Sequence, residues 1–135
     1  MGFLEERMNQ LVYKGENFSL AHPPKVQISK SSPVEDFVAY TFTLQEKVIL
    51  SLYLGNHPSL SLQTSEGSEK ETGQINGLSF ESYRVKSNDG LQDKEVLIKF
   101  TSLREWPLYA HFRYSQLSAE VAQIADSIIS SIQER

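Results

Sequence analysis

The sequence predicts an α+β fold: an antiparallel β-sheet flanked by a short N-terminal helix and a long C-terminal amphipathic helix. Three observations carry this. Between Leu117 and Arg135, the residues Val121, Ile124, Ala125, Ile128, Ile129 and Ile132 recur at intervals of three and four, which places them on one stripe of a helix. Upstream, several runs alternate apolar and polar residues with a period of two, as strands with one buried face do. The order helix, five or more antiparallel strands, helix is α+β rather than alternating α/β.

Taken in order, residues 1–16 read as an N-terminal helical segment. Leu4, Met8 and Leu11 share one face of the stretch Phe3–Val12, and Glu5 and Glu6 suit the positive end of a helix dipole. Asn17-Phe18-Ser19-Leu20 is a brief strand stopped by His22-Pro23-Pro24, whose prolines lack the amide donors a central strand needs. Val26-Gln27-Ile28 resumes the alternation. Phe37–Leu44 and Lys47–Leu54 form a hairpin around Gln45-Glu46, with Ile49 and Tyr53 on its second face. Residues 59–74 are expected to be a mobile polar loop, since no apolar residue follows Leu62 until Ile75. In the strand Leu78–Lys86 the apolar parity changes near Ser82, which a β-bulge would explain.

Asn88-Asp89-Gly90 is a turn because these residues tolerate positive φ. Val96, Ile98 and Phe100 define the next strand, Glu95–Thr101, and Arg104-Glu105-Trp106-Pro107 interrupts it. Leu108, Ala110, Phe112 and Tyr114 then alternate with Tyr109, His111 and Arg113, and Ser118 is positioned to cap the last helix. The 135 residues fit one domain, 1–135, able to bury a core without disulfides.

Composition narrows the chemistry. A net charge of −4 speaks against nucleic acid or an anionic membrane as the main partner. Without cysteine there is no disulfide, thiolate or Fe–S chemistry. No apolar run approaches the roughly 18 residues of a membrane span. The opening Met1-Gly2-Phe3-Leu4-Glu5-Glu6-Arg7 is too acidic for a signal peptide. Localisation stays open: cytoplasmic if the chain is complete, periplasmic or cell envelope if an export segment was removed.

No catalytic constellation stands out. His22, His57 and His111 show no metal-ligand spacing, no Gly-x-Ser-x-Gly elbow is present, and no glycine-rich phosphate loop occurs. Glu66, Glu69 and Glu71 lie in polar sequence with Lys70, where solvated carboxylates keep ordinary acidity. No metal and no cofactor is therefore expected, and the chain is read as a non-enzyme. Asn17-Phe18-Ser19 matches a glycosylation sequon inside an expected strand. Trp106, Tyr109, His111 and Arg113 form an aromatic–basic group, the residue types that dominate binding hot spots, and Asn56 and His57 lie in the turn after Gly55. These six residues are the candidate partner-binding surface. The plainer alternative is that Trp106 packs beneath a loop and Arg113 pairs with a carboxylate.

The segments Phe18-Ser-Leu-Ala-His-Pro-Pro24, Ile75-Asn-Gly-Leu78 and Ile124-Ala-Asp-Ser-Ile-Ile-Ser-Ser-Ile132 together resemble the Mog1/PsbP-like family over about Phe18 to Ile132. The resemblance implies a sandwich of antiparallel sheet and helices. It also implies mainly non-enzymatic roles: photosystem accessory proteins, a small-GTPase nucleotide-release factor, bacterial envelope proteins and secretion-effector chaperones. This chain departs from the family in being short between Arg104 and Ser118, so no functional residue is carried over. The expectation is a protein-binding module, a bacterial accessory or immunity-type protein that occludes or chaperones another protein, the mild acidity suiting a basic partner. The alternative is a small-molecule or lipid carrier with a pocket between sheet and helix, lined by residues such as Tyr40, Leu52, Phe100 and Phe112. Deletion of residues 118–135 is expected to expose the sheet and cause aggregation, measured as loss of soluble protein after ultracentrifugation.

Overall fold

The structure, a computed structural model, describes residues 10–31 and 36–135. Among them ten strands and one helix follow one another: β1 (Leu11–Lys14), β2 (Phe18–His22), β3 (Val26–Lys30), β4 (Val38–Leu44), β5 (Lys47–Gly55), β6 (Glu69–Ile75), β7 (Leu78–Lys86), β8 (Gln92–Lys99), β9 (Tyr109–Leu117), α1 (Ala119–Ser130) and β10 (Gln133–Glu134). Seven strands make an antiparallel sheet in the order β3-β4-β5-β9-β8-β7-β6, and β1-β2-β10 make a smaller one. Helix α1 packs on β9 and β5 of the large sheet and on β2 of the small one.

This corrects the expected α+β architecture, the Mog1/PsbP-like sandwich. The described residues are mostly β, 54% strand against 12% helix. Most of the expected N-terminal helix lies outside the described residues. Its last part, Leu11–Lys14, is strand β1. Here Tyr13 turns inward, its ring 5.9 Å from Phe18 and 5.6 Å from Tyr40, while Leu11 and Val12 stay exposed. A strand on β2 satisfies both the aromatic contact and the backbone donors.

The C-terminal helix has 12 residues, not nineteen. It begins as expected, with Ser118 accepting from the Val121 amide at 3.4 Å. It stops at Ser130 because its end is claimed by other groups. Ser131 Oγ accepts from the Ala21 amide at 2.8 Å, and Asn76 Nδ2 donates to the Ser130 and Ile132 carbonyls at 3.2 and 2.8 Å. Gln133 and Glu134 then pair with Ser19 and Phe18. The buried stripe runs through Ala122, Ala125, Ile128 and Ile129, with Val121 and Ile124 at its margin; Ile132, just past the helix, is fully buried.

The β4–β5 hairpin forms around Gln45 and Glu46, and Tyr40, Phe42, Leu50 and Leu52 enter the core. The bulge lies in this hairpin rather than at Ser82: the register shifts after Phe42, so Ile49 turns inward and Val48 is left exposed. A second shift occurs between Gln92 and Lys94. β7 keeps one register throughout. Its parity change reflects burial on both faces, Leu78 on one and Tyr83 on the other.

Residues 59–74, expected to be a loop, contain a 3-10 turn at Leu62–Thr64 and the edge strand β6. β6 carries no apolar alternation: it is exposed along its length except at Ile75, which packs at the edge of the core. Asn76-Gly77, both with positive φ, join it to β7 as a tight hairpin.

Gln45 and Glu46 also have positive φ, 52° and 67°, in a turn whose strained residues are neither Asn nor Gly. Replacing them together, Gln45→Asn with Glu46→Gly, is expected to raise stability by about 1 kcal/mol. Urea unfolding checks this as a higher midpoint at unchanged slope.

Candidate functional site

Acidic and amide side chains far apart in sequence hold the loops that frame the large sheet. On β8 the strand period turns Glu95 away from Val96, onto the face opposite the helix, in register with Arg113 and Tyr83. The 3-10 turn crosses over it and buries it completely. The Ser61 amide, the Ser61 hydroxyl and the Leu62 amide donate to Glu95 Oε1 at 2.9, 2.7 and 2.8 Å, and His111 Nε2–H donates to Oε2 at 2.9 Å. Burial alone would raise the Glu95 pKa, but these hydrogen bonds outweigh it and the value falls below that of a free glutamate. His111 is held below the ordinary histidine range, by burial first and by the Arg113 charge; the Glu95 carboxylate opposes this only in part.

Ser61, Glu95 and His111 bring three catalytic residue types together, but with the carboxylate in the middle. The serine hydroxyl gives its hydrogen bond to Glu95 rather than to the imidazole, so His111 is not placed to activate it. The geometry is that of a clamp on the residue 61–64 turn.

At one end of the sheet the segment Thr101–Leu108 leaves β8 and returns as β9. Its first part is held by Glu134 of β10, which accepts from the Thr101 amide (2.8 Å), the Thr101 hydroxyl (2.7 Å), the Ser102 amide (2.9 Å) and Arg104 (3.0 Å). Burial opposes ionisation of Glu134, yet these donors prevail and bring its pKa to about 2. The second part is held by Asn56, whose Nδ2 donates to the Glu105 carbonyl and whose Oδ1 accepts from the Leu108 amide, each at 2.9 Å. Between these anchors Leu103 is fully exposed.

On the helix side of the sheet, Asp126 of α1 accepts from Lys94 at 3.1 Å, from the Tyr114 hydroxyl at 3.1 Å and from Arg84 at 3.4 Å. Beside this cluster, where β6–β8 run past the helix, lies a groove of about 350 Å³.

The sequence-predicted partner residues separate into roles. Tyr109, His111 and Arg113 do share the face opposite the helix; Arg113 is exposed and Tyr109 half-exposed, but His111 is buried against Glu95. Trp106 is half-buried against the core and its indole N–H donates to the Asp36 carbonyl. Among the described residues Arg113 makes no ion pair with a carboxylate. Asn56 is an anchor, and His57 is exposed, 3.9 Å from Asp36. His22 donates to the Pro23 carbonyl at 2.9 Å. Tyr40, Leu52, Phe100 and Phe112, expected around a carrier pocket, are packed into the core instead.

Leu103, Glu134 and Glu95 were not singled out by sequence. Glu95 sits at an outward position of an alternating strand, and Leu103 lies between polar residues; neither carries a local mark. Comparison with known proteins matches no family model and no curated sequence.

The clamps make stability pH-dependent. His111 has a folded pKa below its unfolded value of 6.5, so below that pH the unfolded chain binds more protons and stability falls. Glu95 and Glu134 add to the loss below 4.5, and the Glu134 contribution declines down to a pH of about 2. Melting temperature is expected to be flat above pH 6.5 with respect to these groups and to fall in two stages below it; His111→Gln removes the upper stage and keeps the lower.

Proposed function

We propose that this chain is a non-catalytic protein-binding module that holds a partner through the Thr101–Leu108 loop, with Tyr109 and Arg113 at its margin. The observation that carries the reading is Leu103: a leucine fully exposed on a loop fastened on both sides, by Glu134 and by Asn56. In an isolated molecule an exposed leucine contributes nothing to folding. Fastening the loop in advance removes the ordering cost that a flexible segment would incur on binding. An apolar side chain on a preorganised loop suits insertion into a pocket of another protein, with polar residues around it as the rim. The net charge of −4 favours a basic partner by steering the encounter. The concrete form of this role is an accessory or immunity-type protein that covers a functional surface of its partner.

Leu103→Asp is expected to leave melting behaviour unchanged, because the side chain touches nothing. It should weaken partner binding tenfold or more, about 1.4 kcal/mol or above. Affinity capture from an extract of the source cells, with the exposed-site variant Val48→Asp as control, checks this. Retention of the same protein by wild type and V48D but not by L103D supports the reading. Equal retention by L103D, or no protein retained by wild type, overturns it.

A further inference from the structure

We propose that Asn76-Gly77, the tip of the β6–β7 hairpin, is a modification site at which hydrolytic deamidation of Asn76 loosens the C-terminal segment of the chain. The site is independent of any partner at Leu103. The chain has five asparagines, and only Asn76 precedes a glycine.

The turn suits the reaction. Asn76 and Gly77 are both exposed, at φ 50° and 82°. Ile75 and Leu78 close the two-residue turn as a pair, bonding through their own N–H and C=O groups. The Gly77 amide makes no hydrogen bond among the described residues. Apart from its chain neighbours, nothing lies within 4 Å of the point where a Cβ on Gly77 would stand, so no side chain shields that nitrogen.

The Gly77 nitrogen, after giving its proton to hydroxide, bonds to Asn76 Cγ; the Cγ–Nδ2 bond breaks and Nδ2 leaves as ammonia. Water then opens the resulting succinimide. Addition at Cγ gives an aspartate, and addition at the backbone carbonyl gives an isoaspartate with a longer main chain. Water is taken up and ammonia released, with no oxidant or reductant, and the reaction runs one way because the ammonia diffuses off.

Asn76 is also a tie. Its Nδ2 donates to the Ser130 and Ile132 carbonyls at 3.2 and 2.8 Å, across the end of α1. Departure of Nδ2 breaks both bonds, so a docked helix end slows the reaction and its transient opening admits it. Afterwards a carboxylate, with acceptors and no donor, faces two carbonyl oxygens. Ser131 Oγ still joins Ala21, so the helix end is loosened rather than released. The next residues form β10, where Glu134 accepts from the Thr101 and Ser102 amides. Deamidation therefore weakens the helix end, β10 and the fastening of the Thr101–Leu108 loop together.

The test is to hold the full chain at mildly alkaline pH and follow the mass gained when an amide becomes an acid, located by peptide mapping. Conversion is expected at Asn76 ahead of Asn56 and Asn88, slower than in the urea-unfolded chain and faster with rising pH. Ser131→Ala, which removes the neighbouring tie to Ala21, should accelerate it. The converted fraction, separated by anion exchange, and the variant Asn76→Asp are then compared with unmodified protein by amide hydrogen exchange. In both, the Ser131, Ile132, Thr101 and Ser102 amides should exchange about tenfold faster, while those of β4 and β5 keep their protection. No conversion at Asn76 in the folded chain, conversion as fast as in urea, or unchanged exchange in the converted fraction overturns the proposal. Protection lost throughout the converted fraction, which would mean global unfolding, overturns it as well.

Discussion

A seven-stranded sheet is wider than one helix, and the rest of the molecule follows from that mismatch. Seven strands at about 4.8 Å spacing span about 29 Å, whereas a helix with its side chains is about 10–12 Å across. Helix α1 covers the strands it touches, β5 and β9, and seals them with Ala125, Ile128 and Ile129. The β4 side is covered by the small sheet. Phe18 and Tyr13 close over Tyr40 with ring centres 5.3 and 5.6 Å apart, so β1 and β2 do for that side what a second helix would do elsewhere. Among the described residues no such layer covers the edge strand β6, and the groove lies beside it.

The loops are fastened by a different kind of interaction. Glu95, Glu134 and Asn56 each collect two or more hydrogen bonds from a segment distant in sequence, most of them to backbone groups. A backbone amide turned toward the protein needs an acceptor, and an ionised carboxylate is the strongest one available. Each carboxylate is in turn kept ionised by the amides it satisfies. The arrangement ties the loops to the acid–base state of a few buried groups, and it gives the segment around Leu103 a defined shape in the absence of any partner.

The Leu103 loop and the groove both arise where the core does not reach. The Thr101–Leu108 loop stands at one end of the sheet, fixed at its base and apolar where it is most exposed. The groove lies beside the edge strand, lined by apolar Ile75, Phe80 and Ile129 and by charges of both signs, Glu71, Lys94 and Asp126.

Much of the fold was legible in the sequence wherever burial on one face leaves a period. The alternations of β4, β5 and β9, the Gln45-Glu46 hairpin, the Ser118 cap and the start of the last helix are local patterns, because each depends on residues within one or two turns of chain. Strand β6 left no such pattern, since only Ile75 at its end reaches the core; its one mark was Asn76-Gly77, a hairpin signal next to it. The length of the last helix, the burial of Glu95 and His111, and the exposure of Leu103 were decided only by tertiary structure. Each depends on a group supplied from elsewhere: Asn76 and β2 at the helix end, Ser61 and Leu62 over Glu95, Glu134 and Asn56 under the loop. Local sequence determines which face of an element is apolar; what comes to lie on that face, or fails to, is a property of the assembled chain.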